Sequence, residues 1–336
     1  MIEGCNMAED TKIQWCDHTF NPWRGCTKIS AGCQNCYAET MSKRNTKTLG
    51  IWGPHGTRVV ASESMWREPM KWDREAEKAG VRKRVFCASM ADVFEDWTGP
   101  MSNSTGQHLW WDTDRDGKSI WGTESGFDPQ PVTIQDVRRR LFALIDSTPH
   151  LDWLLLTKRP GNILRMMPPI DLGDPDDEDW RSGMDPEARW RRGNLWIGAS
   201  VENETTKSRI DDLRKVTATV RFLSMEPLLE DLGTINLTGI QWVIVGGESG
   251  PGARPFHIDW ARDLRDQCKA AGVAFFMKQL GSDPVMWQRS HEYPSDGCDV
   301  SMNWIEDPKG GDPSEWPEDL RIREFPNGWQ ATRIEA

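Results

Sequence analysis

Six short apolar runs, each closed by polar residues, constrain this chain more than any other feature. They read RVFCASMAD (84–92), HLDWLLLTKRP (150–160), NLWIGASVEN (194–203), TVRFLSMEPL (219–228), IQWVIVGGESG (240–250) and VAFFMKQL (273–280). Near-continuous apolar runs of this length are how strands covered on both faces look. KIQWCDHTF (12–20) reads as one more strand, the first in chain order. Helical patterns lie between several of them. Residues 132–146 repeat apolar positions at helical spacing, and residues 203–215 open on capping-type residues. Residues 258–271 put Ile258, Leu264 and Cys268 near one face, with Gly272 as the stop. Strand alternating with helix calls for a parallel sheet. About seven strands suit an α/β fold with a full or partial (β/α) TIM-type barrel better than a small doubly wound sheet.

Barrel enzymes keep their chemistry at the C-terminal ends of the strands. Those ends carry Asp92, Lys158, Arg159, Glu202, Asn203, Glu226, Glu248 and Lys278. A polar group closing nearly every apolar run makes these the candidate functional positions. The barrel is expected over 11–281, with insertions near 97–131 and 168–193. Both insertions are rich in charge, Gly, Asp and Trp. An irregular extension, 282–336, is expected to wrap the barrel or close one end.

Composition narrows the class. Of 336 residues, 28% are charged and 37% apolar, which is a globular mixture. No uncharged run approaches the roughly 18–20 residues of a spanning helix. The opening MIEGCNMAEDTK lacks the basic start and apolar core of a signal peptide, so a cytoplasmic location is expected. The formal charge of −11 argues against a coat bound to nucleic acid only by phosphate neutralisation. The dense basic patches, Arg82-Lys83-Arg84, Arg138-Arg139-Arg140 and Arg191-Arg192, read as solvated flanks. The 19 Trp residues suit either packing or stacking on a flat ligand.

The cysteines are unevenly spread. Cys26, Cys33 and Cys36 form C-x6-C-x2-C in a loop with Gly25 and Gly32, just after the first expected strand. In a reducing compartment, clustered cysteines are more often metal ligands or redox groups than disulfides. Three thiolates within eleven residues can hold one metal centre. A structural zinc would take a fourth ligand, from Cys16 or His18. A [4Fe–4S] cluster held by three cysteines would keep one iron open to an outside ligand. The plainer alternative is that one or two of these cysteines are buried small hydrophobes.

The three cysteines after a first strand resemble the signature of radical S-adenosylmethionine (radical SAM) enzymes. More closely, WCDHTFNPWRGCTKISAGCQNCYAE (15–39) resembles a phage and bacterial family known as a domain of unknown function. Further matching stretches are RVFCASMADVFED (84–96), LLLTKRP (154–160), LWIGASVEN (195–203), RFLSMEPLLEDL (221–232), VIVGGESGPGARP (243–255) and FFMKQLG (275–281). The spacing departs from the usual radical SAM pattern by a longer first gap. Asn35 also stands where an aromatic residue usually precedes the last cysteine.

The resemblance implies a [4Fe–4S] cluster on Cys26, Cys33 and Cys36, with S-adenosylmethionine on the fourth iron. Reductive cleavage would then give a 5′-deoxyadenosyl radical that abstracts hydrogen from an unactivated carbon. Ser200, Glu202, Asn203, Gly246, Gly247 and Glu248 are the candidates for binding S-adenosylmethionine. Asp92, Lys158, Arg159, Glu226, Arg254 and Lys278 are the candidates for meeting substrate. The expected substrate is modified DNA or a nucleotide. The expected reaction is isomerisation or rearrangement of a modified base, such as a thymidine adduct in phage DNA, in the host cytoplasm. An external electron donor such as flavodoxin or ferredoxin is implied, and no membrane. The alternatives are a radical lyase or repair-type enzyme on a modified base, or a non-catalytic zinc or iron–sulfur barrel protein.

Overall fold

The computed structural model describes residues 11, 13–113, 119–123, 130–170, 191–289 and 297–326. Its main sheet has seven strands: β1 (His18–Phe20), β2 (Lys83–Cys87), β3 (Leu151–Thr157), β4 (Leu195–Ser200), β5 (Val220–Met225), β6 (Trp242–Gly246) and β7 (Ala274–Gln279). Their order in the sheet is their order in the chain. The sheet is a parallel half-barrel, so the fold is α/β with a partial TIM-type barrel. Val85 of β2 pairs with His18 on one side and Trp153 on the other. Ile244 of β6 likewise lies between Ser224 and Phe276. All seven expected strands are present. The first is shorter than its apolar run, since only His18–Phe20 pair.

Contacts divide the chain into two compact units. One comprises Met1–Lys28, Cys36–Ile197 and Val216–Thr219, the other Ile29–Asn35, Gly198–Lys215 and Val220–Ala336.

In the first unit, the helices include α1 (Tyr37–Arg44), α2 (Glu63–Ala79), α3 (Ile134–Asp146) and the single turn α4 (Ile163–Met166), besides a further single turn over Thr46–Leu49. Thr133 starts α3 with a capping box. Its hydroxyl accepts from the Asp136 N–H at 3.3 Å, and the Asp136 carboxylate accepts from the Thr133 N–H at 2.9 Å. Val137, Leu141, Phe142 and Ile145 of α3 are buried, as the helical spacing of 132–146 requires. Gly80, at φ 66°, ends α2 in the left-handed conformation that glycine adopts without a Cβ clash. Phe20 sits edge-on to Trp66 and Trp153 in the core of this unit. Within the first expected insertion, Trp110–Thr113 pairs antiparallel with Ser119–Gly122. Most of the second, 171–190, lies outside the described residues.

In the second unit, α5 (Arg209–Arg214) follows a 3-10 turn, and α6 spans Ile258–Ala271. Ile258, Leu264 and Cys268 are all buried, and Gly272 closes α6 at φ 66°. Trp242 packs between Phe222 and Phe276. The C-terminal extension covers the β7 edge: Met277 donates to the Ile322 carbonyl at 2.8 Å, and Glu324 donates to the Phe275 carbonyl at 2.9 Å. This satisfies backbone groups that an open edge strand would expose. Pro284–Arg289 and Gly297–Ser301 pair antiparallel beside Phe256–His257.

The basic patches are solvated flanks only in part: Arg82, Arg139 and Arg191 are exposed, but each patch has one buried member. Arg84, Arg138 and Arg192 are buried. Each has partners that its sequence neighbours do not reveal. Arg84 and Arg192 pair with Asp17 and Asp146. Arg138 donates to the Val93 and Glu95 carbonyls at 2.8 and 2.9 Å. Many of the Trp residues are core: Trp23, Trp72, Trp153, Trp196, Trp242 and Trp316 are fully buried. Among the described residues, no helix is long and apolar enough to cross a membrane.

Candidate functional site

The loop carrying the cysteines begins at the end of β1, in the first unit. Asn21 is fixed there by Met90, whose N–H it accepts at 2.7 Å, and the Gly25 N–H donates to the Met90 carbonyl at 3.0 Å. Gly25 has φ 111°, and a Cβ there would lie 2.4 Å from the Thr57 carbonyl oxygen. Only glycine fits that position. Beyond β2 the chain turns through Ala88, which holds φ 63° in the core. It then presents Asp92 and Glu95, both buried.

These two carboxylates organise the stretch around Cys26. Asp92 accepts from the Thr157 hydroxyl at 2.6 Å, the Phe94 N–H at 3.0 Å and the Lys158 N–H at 3.1 Å. It also accepts from Arg159 Nη1 at 2.8 Å. Arg159 Nη2 reaches the Thr27 carbonyl at 2.7 Å, and its Nη1 lies 3.6 Å from Cys26 Sγ. Glu95 accepts from the Thr27 N–H at 2.8 Å and takes Arg58 in a two-pronged pair, at 2.6 and 2.7 Å. Arg58 is fully buried beneath the Trp97 ring, 4.1 Å from its centroid. A cavity of about 380 Å³ opens beside Glu95 and Trp97, with Arg138 and Arg165 in its wall.

In the second unit, two strand-end carboxylates hold residues 29–35. Glu202, 0% exposed, follows β4. It accepts from the Ser30 hydroxyl at 3.0 Å and from Arg209 Nη1 at 2.8 Å. Gly32 lies against it: a Cβ there would meet Glu202 atoms at 2.5 to 2.8 Å. Glu248 follows β6. It accepts from Asn35 Nδ2 at 2.9 Å and pairs with Arg254 at 2.6 and 2.9 Å. Arg254 also donates to the Ala31 carbonyl at 3.0 Å. Burial acts to raise the Glu248 carboxyl. The bonds from Arg254 and Asn35 outweigh it and hold the group below its usual range.

The other expected positions have distinct surroundings. Ser200 is buried, and its carbonyl accepts from Arg209 at 2.8 Å. Asn203 caps the 3-10 turn before α5. A Cβ on Gly246 would lie 3.3 Å from the Gln279 carbonyl oxygen, a tight contact, and one on Gly247 would lie 2.1 Å from the Leu280 carbonyl oxygen. The close approach that Gly247 permits is therefore to the chain's own backbone. Lys278 pairs with Glu226, and both are partly exposed. Thus Glu202 and Glu248 come together with the segment holding Cys33, while Asp92 and Arg159 come together with Cys26. Sequence reasoning missed Ser30, Asn35, Arg58, Glu95 and Arg209. Glu95, three residues beyond Asp92, carried the one readable signal.

Cys26, Cys33 and Cys36 are not joined in disulfides. Burial, then the Asp92 and Glu95 carboxylates, push the Cys26 thiol up to about 12 against the pull of Arg159. A thiol held neutral in this way ionises when a metal ion supplies positive charge. The donor chemistry is that of an iron–sulfur centre: three thiols on one short loop, with an N–H directed at one sulfur. Among the described residues, no three His, Cys, Asp or Glu side chains are already arranged as a metal site.

A search of curated proteins finds no match. Among solved structures, a spore photoproduct lyase mutant matches at 11% identity and a TM-score of 0.38, over 89% of this chain and 72% of that one. The model of a protein family of unknown function, DUF5131, matches residues 10–103 and 123–300, which include the cysteine loop and all seven strands of the sheet. The chain belongs to that family.

Proposed function

We propose that this protein is a radical S-adenosylmethionine enzyme in which Cys26, Cys33 and Cys36 hold a [4Fe–4S] cluster. The observation that carries the reading is the three-cysteine loop itself. It follows the first strand of a half-barrel sheet, and its 29–35 stretch is held by carboxylates at the ends of β4 and β6. When bound, the cluster with S-adenosylmethionine supplies one-electron cleavage of the sulfonium and hydrogen abstraction from an unactivated carbon.

The chain's own residues position this chemistry. Glu202 holds Ser30, and Glu248 with Arg254 holds Asn35 and Ala31, so both ends of the Cys33 segment are fixed. Ser200, Asn203 and the Gly246-Gly247 pair flank those carboxylates and complete the proposed S-adenosylmethionine side. Glu226 and Lys278, paired and partly exposed at the ends of β5 and β7, are the proposed substrate contacts. The proposed substrate is a modified base, in DNA or as a nucleotide, that undergoes rearrangement or cleavage. An external one-electron donor completes the system.

The test is anaerobic reconstitution followed by dithionite reduction with S-adenosylmethionine. Iron and sulfide in equal amounts, and 5′-deoxyadenosine formation lost in Cys33→Ala, are expected. One zinc per chain and no iron uptake would overturn the proposal.

A further inference from the structure

We infer that Arg159 is a positioning residue for the cluster: it donates an N–H to the Cys26 sulfur and sets the reduction potential. The inference rests on the reading of Cys26 as a cluster ligand.

Arg159 is built into place from several sides. Its side chain is 11% exposed. Asp92 takes Nη1 at 2.8 Å, the Thr27 carbonyl takes Nη2 at 2.7 Å, and Glu95 lies 3.7 Å from Nη2. The Arg159 backbone N–H donates to Thr157 Oγ1 at 2.9 Å, and that hydroxyl donates in turn to Asp92. A flexible cation would choose its own partner. This guanidinium is oriented by its neighbours, and its Nη1 is left within 3.6 Å of Cys26 Sγ. An ion pair with Asp92 alone would not need the bond to Thr27, the residue next to Cys26. That bond fixes the sulfur's own backbone relative to the guanidinium. The fork geometry matters, because Lys offers a point charge and no second prong.

The consequence follows from charge. Reduction adds one electron from the titrant to the cluster, and no covalent bond forms or breaks. The reduced cluster is more negative. A cation and N–H at a ligating sulfur therefore stabilise it and raise the potential. Asp92 and Glu95 act in the opposite sense; Glu95 keeps its pair with Arg58, so removing Arg159 strips the guanidinium from Asp92 near Cys26.

The experiment is a dithionite titration of the reconstituted full-length protein, followed by electron paramagnetic resonance of the reduced cluster. Arg159→Gln is expected to lower the equilibrium constant for reduction at least tenfold, a shift of about 59 mV to more negative potential for one electron. Arg159→Lys is expected to fall between that variant and wild type. It carries the measurement if Arg159→Gln loses its iron. Arg165→Gln removes the same charge from an exposed pair with Asp96 and is expected to leave the potential unchanged. An Arg159→Lys potential equal to wild type, with iron content intact, would overturn the inference and leave the cluster reading standing. A wild-type protein that takes up no iron would remove both.

Discussion

Gly32→Ala tests how rigidly the cysteine loop is held. The added methyl would lie 2.5 Å from Glu202 Cγ, 2.6 Å from Oε1 and 2.8 Å from Cδ. Ordinary carbon contacts are about 3.5–4.0 Å, so the carboxylate or the loop must move by roughly an ångström. Glu202 has little room to yield, since it is fully buried and bound to Ser30 and Arg209. Overpacking of this kind costs about 1–3 kcal/mol. Weakening the Ser30 bond to a charged acceptor costs about 1.5–3 kcal/mol more. The two overlap, so the expected loss is about 3 kcal/mol, roughly a hundredfold in the local equilibrium. Urea unfolding measures the global part. Hydrogen exchange at the Cys33 and Gln34 amides, which donate to Ser30 and Ala31 carbonyls, measures the local part. In a Glu202→Ala background the clash disappears, so the same change should cost little there. A cost within about 0.5 kcal/mol of zero in the wild-type background, or the same cost in both backgrounds, would refute the steric argument.

Other expectations follow from the same geometry. Arg58→Met leaves Glu95 buried without its two-pronged partner and should cost about 3–5 kcal/mol in urea unfolding; a neutral result would show that Thr27 and Arg159 suffice for Glu95. The Glu248 carboxyl is held below its ordinary value. Its stabilising contribution is complete above the unfolded value of about 4.3 and is lost as pH falls through the lower folded value. Stability of Glu248→Gln measured from about pH 7 to pH 3 should therefore show a shallower acid limb than wild type. Cys87 and Cys268 are buried with thiols pushed up, Cys268 to about 12. Mass spectrometry after iodoacetamide should find both unmodified until urea unfolds the chain.

The sheet was legible because its signal is local. A strand buried on both faces must be apolar at consecutive positions; β3 to β7 lie inside such runs, and β2 starts one residue before its own. Their parallel order followed from the helical stretches between them. β1 was placed but overlong. Its apolar residues Ile13 and Trp15 precede the paired segment, and Trp15 is buried against Phe86 without joining the ladder. Helix α2 escaped notice even though Trp66, Trp72 and Ala76 lie on its buried side. Glu, Arg and Lys crowd the same seventeen residues, and Pro69 lies within them, so the apolar stripe is narrow in the sequence. The basic patches misled for a related reason: Arg84 and Arg192 are buried beside carboxylates 67 and 46 residues away.

The candidate site divides along the same line. Positions such as Asp92, Glu202 and Glu248 were readable because each closes an apolar run. What each carboxylate holds was not readable, since the partners are remote: 172 residues separate Ser30 from Glu202, and 213 separate Asn35 from Glu248. Chain positions that distant are joined only by folding, and no spacing rule links them. Glu95, Glu202 and Glu248 share a use. Each is spent on loop residues adjacent or close to a cysteine rather than facing open solvent. Glu95 binds Thr27 beside Cys26, Glu202 binds Ser30 three residues before Cys33, and Glu248 binds Asn35 beside Cys36. A loop that only had to connect β1 to α1 would need none of these buried charges, each costly to desolvate. On the proposed reading they have a reason, since each bond fixes a loop residue within three positions of a cysteine.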